Sequence, residues 1–291
     1  MITGASGLLG HALCSMLVAR GLRVVGVTHT HSIDVPGVED VQADLSDADA
    51  ARAVVAKVRP SVIIHAAAVT NVDHCEEDPD FAMAFNANLP GMLAKEADAL
   101  NAKFVFISTD MLWRGDKSFV DEKEPPAPMN VYARSKMSGE RQVLEACPTA
   151  IVARTNFYGL GRPWRKSFSD WVIDSLSGGA SIKGFADVYF SPLNMTQLCG
   201  LLIELVGRDA SGIFHFAARD RVSKYDFIHR LAEIMGLDVG LLAKAHVADL
   251  HLAAPRPMDM SLATDKISGV VGRSMPSVED GLRLLSEEMK R

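Results

Sequence analysis

The sequence has few of the features that define disulfide-stapled, metal-bound or membrane proteins. Its four cysteines (Cys14, Cys75, Cys147 and Cys199) are scattered, with no Cys-x-x-Cys pair and no histidine at the spacing of a zinc site. Such a pattern is typical of free, buried thiols in a reducing compartment. No apolar run approaches the roughly 18–20 residues of a membrane-spanning helix. We therefore expect no disulfide framework, no metal ion and no membrane contact.

Basic residues are also scarce for a protein that binds nucleic acid. The 30 lysines and arginines are outnumbered by 36 acidic residues, which gives a net charge of −6. A nucleic-acid-binding protein would instead carry a basic face. No secretory signal precedes the first motif of the chain. The sequence predicts a cytoplasmic protein with no nucleic-acid partner, and it leaves open whether the chain forms a homodimer.

The chain opens on a glycine turn, which reads T-G-A-S-G-L-L-G from Thr3 to Gly10. Glycines at this spacing let the backbone turn tightly and approach a pyrophosphate, which then faces the N–H groups at the start of a helix. Apolar residues recur at helical spacing after Gly7, as expected for a helix packed on a sheet. The pattern predicts a dinucleotide site, with a ligand-free glycine loop as the alternative.

The strand that should precede this turn is very short. Only Met1, Ile2 and Thr3 stand before the turn. In a doubly wound sheet this strand is central, so a three-residue version would lose pairing and burial. We expect that several apolar residues precede Met1 in the natural chain.

Strand-like and helix-like segments alternate through the first half of the chain. The predicted strands are 22–27, 38–42, 61–65, 103–108 and 149–154, and the predicted helices are 47–58 (capped by Ser46), 80–100 and 130–145. This alternation favours an α/β fold, a Rossmann-type doubly wound parallel sheet. After residue 156 the rhythm is less regular. We expect a cofactor-binding domain over 1–155 and a smaller, mixed C-terminal substrate lobe over 156–291, of which 212–217 returns to the sheet.

Tyr132 and Lys136 stand one helical turn apart in the sequence Y-A-R-S-K. A free tyrosine has a pKa of about 10 and is a poor acid or base at neutral pH. A neighbouring ammonium favours the phenolate, so the spacing predicts that the Tyr132 pKa falls towards the working range. The alternative is an ordinary surface helix.

The residues 108–110, Ser-Thr-Asp, follow the apolar strand predicted over 103–108. Ligands of open parallel sheets lie beyond the carboxyl ends of the strands. A hydroxyl at this place can donate a hydrogen bond to a substrate carbonyl oxygen while a tyrosine delivers a proton. The alternative is a threonine that only caps a turn.

Further segments join these motifs: R-P-S-V-I-I-H-A-A-A at 59–68, Val72-Asp73 with Glu76 and Pro79, P-M-N-V-Y-A-R-S-K at 128–136, and Arg256-Pro257 before Leu262. In combination they resemble the extended short-chain dehydrogenase/reductases. Within that group the chain is similar to the dTDP-4-dehydrorhamnose reductases and to the related regulatory beta subunit of methionine adenosyltransferase. The resemblance covers nearly the whole chain.

The resemblance implies a role for each matching residue. Cofactor contacts would come from Gly4, Ser6, Gly7, Leu8, Gly10, Asp44, Leu45, Ala66, Ala67, Ala68, Tyr132 and Lys136. Lys136 would bind the nicotinamide ribose, Tyr132 would protonate the developing alkoxide, and Thr109 would orient the carbonyl beside Asp110. Weaker candidates for substrate contacts are Thr70, Val72, Asp73, Asn156 and Arg256.

The residues that follow the second predicted strand bear on which cofactor is bound. A strict NAD site carries an acid about 20 residues after the glycine motif, where it accepts from the ribose 2′-hydroxyl. Here the predicted strand ends at Val27 and is followed by Thr28-His29-Thr30-His31, with no carboxylate before Asp34. A hydroxyl or imidazole could donate to a 2′-phosphate, so Thr28 and His29 favour NADP(H), with NAD(H) as the alternative.

The sequence departs from the reductase pattern at two places. Met111 stands where reductases of this type carry an aromatic residue, and Asn156-Phe157-Tyr158-Gly159 stands where they tend to have a tryptophan. Three functions remain open. They are an NADP(H)-dependent reductase of a 4-keto-6-deoxy nucleotide sugar, a nucleotide-sugar epimerase or dehydratase, and an NADP-binding regulatory subunit. Related dehydratases use an Asp-Glu pair after the threonine, which Met111 cannot provide.

Overall fold

The computed structural model describes residues 1–249 and 254–290 of the chain. Strands and helices alternate through the first part. They are β1 (Ile2–Thr3), α1 (Leu8–Ala19), β2 (Val24–Thr28), β3 (Val38–Gln42), α2 (Ala48–Val58), β4 (Val62–His65), α3 (Val72–Glu77), α4 (Pro79–Met83), a π-helical turn (Ala84–Asn88), α5 (Leu89–Ala99), β5 (Lys103–Ile107), α6 (Val131–Ala146) and β6 (Ile151–Thr155).

Shorter strands and five further helices make up the rest. They are β7 (Phe157–Tyr158), α7 (Phe168–Ser177), β8 (Ile182–Phe185), β9 (Tyr189–Phe190), β10 (Leu193–Asn194), α8 (Met195–Gly207), β11 (Gly212–Phe216), β12 (Val222–Ser223), α9 (Lys224–Met235), β13 (Leu242–Ala245), α10 (Asp265–Val271) and α11 (Val278–Glu288), with 3₁₀ turns at Val239–Leu241 and Val247–Asp249.

Seven strands form one sheet in the order β11-β6-β5-β4-β1-β2-β3, and every neighbouring pair is parallel. Alternate side chains of β5 enter different clusters. Phe104 and Phe106 pack into one hydrophobic cluster, whereas Val105 and Ile107 pack into another. A strand buried on both faces is typical of a sheet covered by helices on both sides. The α/β doubly wound class expected from the sequence is therefore confirmed.

The late strand β11 lies at the edge of this sheet and pairs with β6 from Gly212 opposite Ile151 to Phe216 opposite Thr155. The other late strands form three two-stranded sheets, β10 with β7, β12 with β9, and β13 with β8. The division into a cofactor domain and a substrate lobe near residue 155 stays a prediction.

Two local expectations were wrong. Asp47, not Ser46, caps α2, because its carboxylate accepts from the Asp49 and Ala50 N–H groups at 2.8 and 3.3 Å. Ser46 instead donates to Asp44. The helix expected over 80–100 is divided by the π-helical turn over Ala84–Asn88. Such turns are frequent at functional sites, and this one carries Asn86 into the interior.

Two absences concern the residues that the structure describes. None of their helices combines the length and the apolar composition that crossing a membrane requires. No group of three or more potential metal ligands is found among them.

Candidate active site

A cleft of about 600 Å³ lies beyond the carboxyl ends of β1, β2, β4, β5 and β6. This is the place where parallel sheets of this kind bind ligands. Most of the residues that the sequence singled out line it: Gly4, Ser6, Gly7, Leu8, Gly10, His29, Ala66, Ala67, Ala68, Thr70, Val72, Thr109, Asp110, Tyr132, Lys136 and Asn156. Residues distant in the sequence therefore meet at one site.

Five candidates are not among the lining residues: Thr28, Asp44, Leu45, Asp73 and Arg256. The Thr28 hydroxyl donates to Asp40 at 2.7 Å, and Leu45 is buried in a hydrophobic cluster. Asp44 lies at the surface, 3.9 Å from the His29 ring nitrogen. Arg256 donates to Asp73 at 3.0 Å, which joins these two substrate candidates to each other.

The glycine turn is built for close approach. Gly4 has φ +65°, and a Cβ there would come within 2.8 Å of the Ala67 nitrogen. A Cβ on Gly10 would collide with the Gly4 carbonyl oxygen. Helix α1 begins after Gly7 with no side-chain cap, so no side chain accepts from the first N–H groups of this helix. The residues at this helix start line the cleft. Such a helix start fits an anionic group such as a pyrophosphate.

Tyr132 lies in the first turn of α6, which begins after Asn130. The Asn130 side chain caps the helix by accepting from the Ala133 N–H at 2.8 Å. Burial raises the pKa of Tyr132 to about 12, while hydrogen bonding with the Thr109 side chain acts in the opposite direction. The sequence argument expected a lowered pKa. It was wrong because desolvation is the largest effect and the charge of Asp110 adds to it, so the phenol stays protonated at neutral pH.

Lys136 is the buried amine of the site, with 2 % of its surface exposed. Its Nζ lies 4.0 Å from the centre of the Phe106 ring. Burial lowers the pKa of Lys136 to about 7, and the charge of Glu140 acts to raise it. A buried amine that lines a cleft can donate to a ligand hydroxyl, and it gains a proton easily when a negative group arrives.

Asp110 lines the cleft beside Asn156, and it accepts from Asn156 Nδ2 at 2.8 Å. Burial raises the pKa of Asp110 to about 6. Lys224, at the start of α9, acts on this carboxyl electrostatically and lies 3.4 Å above the Phe190 ring. A carboxylate and an amide side by side can form hydrogen bonds with several hydroxyl groups of a polar ligand.

Asn86 holds two loops of the site together. Its side chain accepts from the Val69 N–H at 2.9 Å and donates to the Val69 carbonyl oxygen at 2.9 Å and to Ser135 Oγ at 3.1 Å. Val69 precedes Thr70, and Ser135 stands next to Lys136. The π-helical turn therefore fixes the loop after β4 against the helix that carries the tyrosine and the lysine.

Sequence reasoning missed two further groups. Glu140 and Arg154 form a buried ion pair one helical turn beyond Lys136, and a charged residue inside the apolar strand β6 was the available signal. Trp164 and Arg165 also line the cleft. Their signal was the unusual run R-P-W-R-K at 162–166.

The chain is similar to known proteins over most of its length. The family model described as "RmlD substrate binding domain" matches residues 1–291. A probable low-salt glycan biosynthesis reductase, Agl14, of Haloferax volcanii is 33% identical over 98% of this chain and 96% of that protein. A dTDP-4-dehydrorhamnose reductase of Mycolicibacterium smegmatis is 34% identical over 91% of this chain and 78% of its own length.

Relatives at lower identity include a regulatory subunit and a reductase of known structure. The methionine adenosyltransferase 2 subunit beta of Danio rerio is 28% identical over 95% of this chain and 86% of that protein. The crystal structure of a Bacillus anthracis dTDP-4-dehydrorhamnose reductase in complex with NADP superposes with a TM-score of 0.86, at 28% identity, over 99% of this chain and 98% of that one. The resemblance to reductases and to the beta subunit is confirmed, and so is the oxidoreductase class of the family.

Proposed function

The chain belongs to the RmlD substrate binding domain family, and on this premise we propose that it is an NADP(H)-dependent reductase of a 4-keto-6-deoxy nucleotide sugar. One observation carries the proposal. Tyr132, Lys136 and Thr109 line the same cleft as the glycine turn. An acid, an amine and a hydroxyl donor thus face the place where a dinucleotide and a carbonyl substrate can meet.

The turn fits a dinucleotide because it has to be tight: a side chain at Gly4 or Gly10 would collide with the backbone of the turn or of the loop after β4, and a tight glycine turn before a helix start suits a pyrophosphate. Gly4, Gly7 and Gly10, with Ser6 and Leu8, would hold the pyrophosphate, and Ala66, Ala67 and Ala68 would lie along the cofactor. Lys136 would donate to the nicotinamide ribose. When bound, the reduced nicotinamide supplies the hydride that the keto carbon accepts.

Tyr132 delivers the proton in this scheme. Its phenol, with a pKa raised to about 12 by burial, keeps its proton until negative charge develops on the substrate oxygen. Thr109 donates a hydrogen bond to the same oxygen and orients the carbonyl. Positioned proton transfer of this kind contributes roughly 10²–10⁴-fold to a rate.

The sugar is bound at the wall formed by Asp110 and Asn156. The Asp110 carboxylate has one oxygen engaged by Asn156 at 2.8 Å, and its remaining capacity to accept suits a sugar hydroxyl. Thr70 and Val72 line the same cleft, and Val72 packs in one cluster with Tyr132. Asp73 follows Val72 in the chain and is paired with Arg256.

NADP(H) is favoured over NAD(H) at the adenosine end. His29, Thr30 and His31 line the cleft after β2, where a strict NAD site would carry an acid. Asp40 is the nearest carboxylate to Thr28, and its two oxygens already accept from the Thr28 hydroxyl and the Ile33 N–H. The histidine side chains and the Thr30 hydroxyl are therefore the groups that a 2′-phosphate would meet.

The test is NADPH oxidation with dTDP-4-keto-6-deoxyhexose as substrate, comparing the wild type with Tyr132→Phe. We expect kcat to fall by at least about 100-fold, while the Kd for NADPH changes by less than about twofold. Tyr225→Phe, a half-buried tyrosine on α9 that is not among the residues lining the cleft, is the matched control and should keep full activity. Equal turnover by Tyr132→Phe would contradict the mechanism.

A regulatory role is the second candidate, and the family's methionine adenosyltransferase 2 subunit beta supports it. Tight NADPH binding by the wild type, no turnover of any keto sugar and copurification of another enzyme would favour this role over the reductase. Net epimerisation of the sugar without consumption of NADPH would instead favour a nucleotide-sugar epimerase.

A further inference from the structure

A short basic segment from the second half of the chain reaches over the cofactor cleft. This segment, residues 161–166 (G-R-P-W-R-K), is called the basic clasp below; it lies between β7 and α7. The backbones of Arg162 and Arg165 exchange two hydrogen bonds of 2.9 Å, which close the clasp into a tight hairpin. The clasp is thus a closed, hydrogen-bonded hairpin and not an extended loop.

The clasp contacts three sides of the cleft. Trp164 Nε1 donates to the carbonyl oxygen of Ser6 at 3.1 Å, and the Trp164 ring stacks on His31 with centroids 4.8 Å apart. Arg165 Nη2 donates to Thr70 Oγ1 at 2.7 Å. Ser6, His31 and Thr70 follow β1, β2 and β4. The clasp therefore bridges the strand ends along which a dinucleotide lies in this fold.

The positive charge of the clasp is only partly compensated. Lys166 pairs with Asp174 at 2.7 Å, but Arg162 and Arg165 form no ion pair within residues 1–249 and 254–290. The Arg162 Nε and the His11 Nε2 are buried without a hydrogen-bond partner in that part of the chain. Both stand near the start of α1, whose dipole also favours an anion. The Arg162 Nε–H is a buried donor without an acceptor, which is costly, and an anionic ligand would lower that cost.

We propose that the basic clasp is a phosphate-binding part of the dinucleotide site, in which Arg165 binds phosphate oxygens and Trp164 covers the bound cofactor. Arg162, whose guanidinium lies 5.3 Å from the Trp164 ring, supplies the second positive charge. The inference rests on the proposed function, because it requires a dinucleotide at the glycine turn. The diphosphate of a nucleotide sugar has the same chemistry, but the contacts with Ser6 and His31 place the clasp on the cofactor side.

The clasp also has to open. Trp164 is 39 % exposed, so its contacts with Ser6 and His31 lie at the surface and can separate without disturbing the core. The Arg165 to Thr70 hydrogen bond is likewise at an exposed position. A dinucleotide can therefore enter the cleft, after which the arginine exchanges its neutral acceptor, a hydroxyl, for a charged one. Hydrogen bonds to charged acceptors are roughly twice as strong.

The first experiment measures Kd by calorimetry for NADPH and for dTDP, with the wild type, Arg165→Gln and the control Arg283→Gln. Arg283 is an exposed arginine on α11 whose partner is Glu279. We expect Arg165→Gln to weaken NADPH binding by about tenfold, with dTDP binding and thermal unfolding unchanged. Arg283→Gln should behave as the wild type does.

The second experiment follows tryptophan fluorescence during titration with NADP⁺. The change in emission should be lost in Trp164→Phe and kept in Trp171→Phe, a control with similar exposure at 42 % and a place on α7 away from the glycine turn. Trp164→Phe keeps a stacking ring but cannot donate to Ser6. Its affinity for NADP⁺ should therefore fall less than that of Arg165→Gln.

The outcomes separate the two proposals. A wild type that binds no dinucleotide refutes the proposed function and the clasp with it. Tight NADPH binding that is equal in the wild type and Arg165→Gln refutes the clasp alone. Weaker binding of dTDP with unchanged NADPH binding also overturns the inference, since the clasp would then serve the nucleotide sugar.

Discussion

Glu140 and Arg154 form a buried, two-point ion pair at the inner end of the active site. Arg154 Nη2 lies 2.7 Å from Glu140 Oε2, and Arg154 Nε lies 2.9 Å from Oε1. The side chains are 5 % and 3 % exposed, respectively. Ser108, at the end of β5, donates to Glu140 Oε1. The pair thus joins β5, α6 and β6 where they bring Thr109, Tyr132 and Lys136 together.

Breaking this pair should destabilise the fold. In Glu140→Gln the Arg154 guanidinium stays buried without its counter-charge, and such a loss costs about 3–5 kcal/mol. Urea unfolding should show this loss, whereas Glu145→Gln, exposed on the same helix, should change stability by less than about 0.5 kcal/mol. The double variant Glu140→Gln with Arg154→Met should recover part of the loss. Equal stability of Glu140→Gln and the wild type would contradict the role given to the pair.

Lys136 should link cofactor binding to pH. Burial lowers its pKa to about 7 in the free protein, so above that pH the amine is mostly neutral. The negative charge of a bound dinucleotide favours the ammonium form, so binding takes up a proton above about pH 7 and the affinity for NADPH falls as pH rises, by at most about tenfold per pH unit. Calorimetry in buffers with different heats of ionisation measures this uptake.

Two variants sharpen that test. Lys136→Met should abolish the proton uptake, because it removes the titrating amine. In Glu140→Gln, provided that it folds, the charge that raises the Lys136 pKa is absent. The fall in affinity should then begin at a lower pH. An NADPH affinity that is constant between about pH 6 and pH 9 would rule out Lys136 as the linked group.

The sequence predicted the features that local spacing encodes. The glycine turn, the Tyr132 to Lys136 spacing and the apolar strand before Thr109 are each contained within a few residues. The parallel sheet was predicted from the alternation of strand-like and helix-like segments. The chemistry of the site was harder. The lowered pKa expected for Tyr132 depended on one neighbouring residue, Lys136. The raised pKa in the structure is due mainly to burial of the phenol, which depends on residues from several parts of the chain.

The contacts that the sequence did not predict are long-range. Trp164 and Ser6 stand 158 residues apart, and Arg165 and Thr70 stand 95 apart. No periodicity relates such positions, so only the folded chain shows that they share a cleft. The helix over 80–100 was predicted as continuous for a related reason. The π-helical turn in this helix occurs where Asn86 contacts Val69 and Ser135. The sequence of residues 80–100 alone does not indicate these contacts.

The ionised carboxylate of Asp110 should lower the free energy of unfolding at neutral pH. Burial raises its pKa from 3.8 to about 6, so the folded state binds the proton more tightly than the unfolded chain does. Stability is therefore lost as pH rises from the unfolded value through the folded one, and the loss is complete above about pH 6. A difference of roughly two pKa units corresponds to at most about 3 kcal/mol.

Asp110→Asn removes this cost and keeps an oxygen that can accept from Asn156. We expect urea unfolding at pH 7 to show a gain of up to about 3 kcal/mol that shrinks as pH approaches 4. The exposed Asp98→Asn should show neither the gain nor its pH dependence. The gain should come with a lower kcat/KM for the keto sugar, since groups that destabilise an active site are often the ones that its activity requires. A variant that is less stable than the wild type at pH 7 would mean that the ionised carboxylate is well compensated, by the hydrogen bond from Asn156 first and by Lys224 second.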